Sequence, residues 1–320
     1  MRRYVWRGAT RNFGDELNDL IWPRLLPGLF TETVDDAALD DGSALFLGIG
    51  SVLDARHAPD RRKVVAGAGF GGYQAPVSLD RTWHIYWVRG PRTARQLGLP
   101  AAFGLGDPAS LLPLVHAPGR LAAACPAAGG IGFMPHFESL AHGAWAAAAT
   151  AADVTLIDPR GAPRDILARI AACRVLLSEA LHGVIVADAI RVPWVALAPV
   201  APIHRAKWFD WAASLGLAIQ FHDLPASTLR ECLGSRFTPH GRIARTGLAH
   251  AGALLDHLDC RSGRFDRAVA ALRAAAGAVP QLSASGNLAC AQARMLDRLQ
   301  TLRGDHANLC GKGWQGHRRR

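Results

Sequence analysis

The 320-residue sequence is short of charge: 19% of its residues are Asp, Glu, Lys or Arg, against 50% apolar. That balance excludes an intrinsically disordered chain and supplies enough apolar side chains for a sizeable core. Long hydrophobic runs are missing too. Gly, Pro or a charged residue interrupts every apolar stretch well before the roughly 20 residues of a membrane-spanning helix. The basic N-terminal stretch MRRYVWRGATRNFGDELN lacks the apolar segment of a secretory signal. A cytoplasmic location is therefore expected. Cysteine is sparse, and Cys125, Cys173, Cys232, Cys260, Cys290 and Cys310 include no C-x-x-C pair. This speaks against a redox motif or a zinc knuckle, and the cysteines read as reduced thiols in apolar surroundings. With no metal-ligand spacing in view, neither a metal nor a cofactor is expected.

What the chain has in excess is positive charge. The formal net charge is +10 and the pI about 10.0, so an anionic partner is expected: nucleic acid, an acidic membrane face or a phosphorylated substrate. No zinc finger, RNP1 aromatic motif or basic heptad helix is present, which argues against nucleic acid. Only the tail GKGWQGHRRR is densely basic. It reads as a solvated end, compatible with weak attraction to anionic lipid at the inner face of the plasma membrane.

Short apolar runs ending in glycine mark buried parallel strands in the first part of the chain. They are YVWR (Tyr4 to Arg7), ALFLGIG (Ala44 to Gly50), VVAGAG (Val64 to Gly69) and HIYWVRG (His84 to Gly90). GDELNDLIWPRLL and PRTARQLG have helical spacing, the second with Pro91 in its first turn and Gly98 at its stop. From Pro113 to Gly130 the sequence loosens into Pro, Gly and Ala, which predicts a linker. Regular strand–helix alternation follows. IGFMP, DVTLID, RVLLSE and PWVALAP read as strands, with FESLAHGAWAAAAT, PRDILARIAAC, LHGVIVADAI and HRAKWFDWAASLG as helices. The expected fold is α/β, with two Rossmann-like domains over residues 1–122 and 123–238. Residues 239–320 are expected to form a helical extension with a basic tail.

Ligands of such sheets bind beyond the carboxyl ends of the strands, so residues just after strands are the ones to weigh. Gly67, Gly69 and Gly72 fit part of a G-x-G-x-x-G pattern. No helix follows them, and no acidic residue about 20 positions on completes a βαβ unit, so a dinucleotide site is not expected. In RNFGDELN, Asn12 and Asp15 either cap the helix or place a carboxylate that accepts a proton from a substrate hydroxyl. Arg89 stands at a strand end and Arg92 in the first turn of the next helix. Cations there oppose the helix dipole, unless an anion binds between them and the helix start. Asp107, before a proline, reads as a turn and cap residue. His136 and His182 occupy corresponding positions, each after a strand and at the opening of a helix. Two histidines so placed favour a site. Lys207 and Asp210 either add charge at the same edge or face water.

Taken together, NFGDELN, LGIGSVL, VRGPRT, GDPASLLP, GFMPHFES, SEALHGVIVADAIRVPW and KWFDW resemble the polysaccharide pyruvyl transferase family. The likeness spans roughly residues 4 to 215 and is most specific in LHGVIVADAIRVPW. Within the family it is nearest to the branch that adds ketal pyruvate to bacterial exopolysaccharide repeats such as succinoglycan. The resemblance implies a GT-B-like fold with the acceptor on the N-terminal domain and the donor on the C-terminal one. It also implies phosphoenolpyruvate as donor and a sugar diol, on a lipid-linked oligosaccharide or polysaccharide, as acceptor. Other branches carry arginine directly before Leu-His-Gly, where this chain has Ala180. Arg89, Arg92 or Lys207 would then cover for that cation, while Glu179 would repel an anionic donor unless turned away or protonated.

The donor's chemistry requires a proton delivered to the enol methylene, a base beside the sugar hydroxyl and cations for the departing phosphate. The acid is assigned to His182 and the base to Asp15. Arg89, Arg92, His136, Asn12, Glu179 and Lys207 are expected to contact substrate. Two other readings fit a GT-B-like fold: a nucleotide-sugar glycosyltransferase, and a non-catalytic anion- or glycan-binding protein. Fold alone does not separate them.

Overall fold

The computed structural model describes residues 1–35, 41–119, 129–234 and 263–307. The first half holds strands β1 (Arg2–Tyr4), β2 (Glu32–Val34), β3 (Leu45–Leu47), β4 (Lys63–Ala66) and β5 (Trp83–Trp87). Its helices are α1 (Phe13–Leu25), α2 (Pro91–Gln96) and α3 (Leu112–Val115). The second half holds β6 (Ile131–Met134), β7 (Thr155–Leu156), β8 (Val175–Ser178), β9 (Trp194–Leu197) and β10 (Phe221–His222). Between and after them come α4 (Phe137–His142), α5 (Trp145–Ala151), α6 (Pro163–Ala171), α7 (Leu181–Ala189), α8 (Arg205–Ser214) and α9 (Leu229–Gly234). Two further helices follow, α10 (Arg264–Ala276) and α11 (Ser285–Asp305).

Each half builds one five-stranded, all-parallel sheet. The orders are β2-β1-β3-β4-β5 and β7-β6-β8-β9-β10. Counted within its own half, each sheet runs 2-1-3-4-5, the flavodoxin-type order of doubly wound sheets. The inner strands β3 (LFL), β6 (IGFM) and β9 (WVAL) are apolar at every position because both faces are covered. In β8, Leu176 enters one core cluster and Leu177 another. In β3, Phe46 and Leu45 divide the same way.

The cluster shared by the inner faces joins the halves. It runs from Leu17, Trp22 and Phe46 through Val184 and Ile185 of α7 to Trp211 of α8 and Met295 of α11. The tail-side helices pack on the body, as expected. Leu272 of α10 enters the cluster under Trp145, and α11 reaches β5 and its neighbours, where Tyr86 donates to Asp305 at 2.7 Å and Gln292 to the Ser110 carbonyl at 2.7 Å.

Several elements depart from the sequence reading. The first strand is Arg2–Tyr4, earlier than Tyr4 to Arg7, and the edge strands β2 and β10 were not foreseen. FESLAHGAWAAAAT forms two helices rather than one. They part at Gly143, where a Cβ would stand 2.5 Å from Trp145 Nε1 and 2.6 Å from Ser227 Oγ. Ser227 Oγ also accepts the Ala144 N–H at 2.8 Å, outside the helical ladder. No helix covers the β3–β4 or β4–β5 crossover among the described residues. Most of the expected linker (120–128), the segment 235–262 and the basic tail lie outside the described residues. Among the described residues no helix is long and apolar enough to cross a membrane.

Candidate functional site

The direction in which successive strands are added reverses between β1 and β3 in the first sheet and between β6 and β8 in the second, all of them parallel. Crevices form beyond the strand ends at such switch points. The four loops there carry Asn12 and Asp15, Gly48–Ser51, His136, and Glu179 to His182.

At the first switch point Asn18 organises the loop after β3. Its Nδ2 donates to the carbonyls of Asp15 (3.0 Å) and Ile49 (2.9 Å). Its Oδ1 accepts from the Ile49 N–H (2.9 Å) and Trp22 Nε1 (2.8 Å). All of this side chain's strong hydrogen-bonding directions are thereby used inside the core. Neither Asn12 nor Asp15 caps α1, which removes the simple capping role as the reason for either residue. Instead Asn12 Nδ2 donates to Asp15 Oδ2 at 2.7 Å. The Asp15 carboxyl is 9% exposed. Burial pushes it up to about 6, against the opposing pull of His182, the Asn12 amide, Lys207 and Arg56.

At the second switch point Glu179 is a clamp. Its carboxylate accepts from the His136 N–H, Ser139 Oγ and the Val200 N–H, each at 2.8 Å, so the loops after β6, β8 and β9 converge on it. Burial raises its pKa while these three donors oppose the rise. The repulsion foreseen between Glu179 and an anionic donor is thus answered by a carboxylate that points into the protein. His136 precedes α4, its Nδ1 accepting the Glu138 N–H at 3.4 Å. Burial and the neighbouring His204 and Lys207 hold it well below the usual histidine range.

The His136 ring stacks on His204, centroids 4.2 Å apart and planes 27° off parallel. His204 is itself held at both nitrogens, Nδ1 by the Tyr73 hydroxyl at 2.9 Å and Nε2 by Glu138 Oε2 at 3.0 Å. The ligand-type atoms of His136, Glu138 and His204 lie within 4.8 Å of one another. Both nitrogens of His204 are already engaged by Tyr73 and Glu138, and Nδ1 of His136 accepts the Glu138 N–H. A self-satisfied polar cluster is the better description.

His182 sits in the first turn of α7 and is 17% exposed. Its Nε2 is enclosed, without a formed hydrogen bond, 3.4 Å from Asp107 Oδ2. On the Nδ1 side the ring abuts α1: a Cβ on Gly14 would fall 1.9 Å from Nδ1. The glycine of NFGDELN is therefore explained by the histidine of LHGV, one from each half. Lys207, half-buried in the first turn of α8, forms no ion pair or hydrogen bond with any described residue. Its charge acts on Asp15, His136 and His204. His182, Asp15, Asn12, His136 and Lys207 thus belong to one neighbourhood.

Arg89 and Arg92 do something else. Arg89 is buried, with Nε donating to Asp210 (3.1 Å), Nη1 to Ser51 Oγ (2.9 Å) and Nη2 to the Phe70 carbonyl (2.8 Å). Asp210 in turn accepts the N–H groups of Arg92 (2.9 Å) and Thr93 (3.0 Å) and the Thr93 hydroxyl (2.6 Å). The anion that offsets two arginines at this helix start is the chain's own carboxylate, supplied by α8. Gly90 permits the approach, since a Cβ there would lie 2.0 Å from the Asp210 carbonyl oxygen. Arg92 is exposed and stacks on Phe209, its Cζ 5.2 Å from the ring centroid.

Asp107, Gly14 and His204 were not foreseen as parts of this arrangement, and Asp210, weighed as charge at the same edge or a solvent-facing group, is instead the buried partner of Arg89. Asp107 does cap as expected, Oδ1 accepting the Ala109 N–H at 2.9 Å, but its other oxygen faces His182. A buried acid before a proline carries no local sign of the second role.

No family model matches the chain. The succinoglycan biosynthesis protein ExoV of Rhizobium meliloti (strain 1021) is 36% identical to it over 247 residues, which is 74% of this chain and 72% of that protein. With the shared length that this identity covers, the chain belongs to the polysaccharide pyruvyl transferase family.

Proposed function

We propose that the protein transfers pyruvyl from phosphoenolpyruvate to two hydroxyls of one sugar in a lipid-linked or polymeric exopolysaccharide unit. The products are a cyclic pyruvate ketal and inorganic phosphate. One observation supports this above all: a buried carboxylate, Asp15, lies under the influence of His182 and of the unpaired Lys207, where the switch-point loops of both sheets meet. The name of the relative, a succinoglycan biosynthesis protein, agrees with a polysaccharide acceptor.

In this reading His182 protonates the methylene carbon of phosphoenolpyruvate, converting it to methyl and leaving C2 electron-poor. Asp15 takes the proton of the first sugar hydroxyl as its oxygen bonds to C2. Cleavage of the C2–O bond releases phosphate and restores the electron-poor centre, to which the second hydroxyl adds as it loses its proton. Two hydroxyl protons are lost; one becomes part of the methyl group through His182 and one leaves on phosphate. Lys207 steadies the phosphate as charge builds on it. The acceptor approaches from the first sheet's loops and the donor from the second's, between two Rossmann-like domains of GT-B type. Because the acceptor is lipid-linked, the enzyme works at the inner face of the plasma membrane, where its positive charge favours anionic lipid.

The test is thermal stabilisation by phosphoenolpyruvate against a panel of nucleotide sugars, followed by phosphate release with extracted lipid-linked oligosaccharide. Phosphoenolpyruvate at 100 times its Kd is expected to stabilise the fold by about 2.7 kcal/mol, with nucleotide sugars inert. Stabilisation by a nucleotide sugar alone would replace this reading with glycosyl transfer. Donor binding without phosphate release from any acceptor would leave a binding protein.

A further inference from the structure

We propose that Asp107 is a positioning residue for His182: its carboxylate faces ring nitrogen Nε2 and, with the bare backbone of Gly14 against the opposite edge, fixes the imidazole's orientation and tautomer. The inference deepens the reading of His182 as proton donor and rests on it. Four observations carry it.

Asp107 is 1% exposed, so its carboxylate is in a region where an unpaired charge is costly. Oδ1 is anchored by the Ala109 N–H at 2.9 Å, which leaves Oδ2 on the side of the imidazole, 3.4 Å from its Nε2. Nε2 is enclosed and has Asp107, at 3.4 Å, as its nearest ion-pair partner. Such a contact is longer than a formed hydrogen bond, as catalytic pairs often are before substrate binds. Finally, residue 14 has no Cβ, and the position a Cβ would take lies 1.9 Å from Nδ1. Any other residue would push the ring out of place, so the bare backbone of α1 is the second wall that fixes it.

A neutral imidazole has one N–H and one lone pair, and the partner of one nitrogen decides the state of the other. A carboxylate at Nε2 selects the N–H there and stabilises the imidazolium when the ring is charged. The arrangement follows the logic of an aspartate that orients a catalytic histidine without itself carrying the proton.

Asp107→Asn keeps the cap, because asparagine also accepts the Ala109 N–H, but removes the charge from Nε2. Expected is a fall of about a hundredfold in kcat for phosphate release, at the lower end of what general acid–base catalysis contributes. The KM for phosphoenolpyruvate should stay within about twofold. Asp107→Glu should restore part of the rate.

A second readout does not depend on turnover. Imidazole nitrogen-15 shifts of His182, assigned by their absence in His182→Ala, should report the Nε2–H form in the wild type and a changed form in Asp107→Asn. If Asp107→Asn leaves the His182 shifts unaltered, the positioning role is overturned, whatever the enzyme's rate. If the shifts change but no phosphate is released even by the wild type, the pyruvyl-transfer reading fails while Asp107 keeps its place. Gly14→Ala tests the second wall: its methyl must displace the ring, so the His182 shifts and turnover should both change, and unaltered shifts with full turnover would overturn the fixed orientation.

Discussion

Two helices of this protein begin shortly after parallel strands with extended backbone and no capping side chain of their own, yet they end up in opposite states. At α2 the start is closed: Asp210 binds two of its N–H groups, the Thr93 hydroxyl and Arg89. At α7 no side chain caps the start, no acidic residue lies in the first turn, and His182 stands there with one nitrogen enclosed beside Asp107. Helix N-termini attract anions through unsatisfied N–H groups and the macrodipole. The protein meets that demand internally at α2, whereas among the described residues no side chain caps the start of α7. What a distant segment brings thus decides how a helix start is met.

The comparison can be broken at either end. The largest effect is expected at the open helix: His182→Gln should lower phosphate release by about 10²–10⁴-fold, with the thermal midpoint little changed. Comparable loss of activity and of fold would put His182 in the closed class instead. At the closed helix, Arg89→Ala should destabilise by about 3–5 kcal/mol, because it strands the buried Asp210 charge. Denaturant melts would show this. A variant that melts normally but has a raised KM for donor would return Arg89 to the anion site.

Asp15→Asn sharpens the contrast. The folded protein holds the Asp15 carboxyl near 6 rather than its ordinary 3.8, so ionising it costs stability as pH rises through that window and the cost is complete above it. Removing the charge should stabilise the fold at pH 7.5 by up to about 3 kcal/mol, with no gain below pH 4, while activity falls. A loss of stability at neutral pH would mark Asp15 as a structural residue. The smallest effect is expected at Arg92→Ala, which removes an exposed contact over Phe209 and should cost about 0.5–1 kcal/mol with turnover unchanged. A severe loss of donor affinity would place Arg92 in the site after all.

Much of this was legible beforehand. Strands such as Val175–Ser178 and Trp194–Leu197 announce themselves because burial on both faces demands unbroken apolar residues. Asp15 and His182 could be singled out because polar groups just beyond such strands fall at a sheet's carboxyl edge. The two edge strands escaped because two or three half-covered residues leave no periodic trace. Arg89 was misleading for a different reason. Its partner Asp210 stands 121 positions away, and no local pattern distinguishes a guanidinium awaiting a ligand from one already neutralised. His204 was hidden in what reads as the lead-in to a helix, although it is the ring on which His136 rests.

The bond from Thr93 to Asp210 also bears on how the polypeptide is made. The carboxylate lies 117 residues downstream, so a chain growing on the ribosome has synthesised β4, β5 and α2 long before it can supply their brace. During that interval Arg89 has neither its counter-charge nor a reason to enter the interior, and the loops it will later pin stay open to water. Completion of the early half thus waits for α8 to emerge. Fragments ending before it should be poor at reaching the native state, and proteolysis of stalled nascent chains would register the delay.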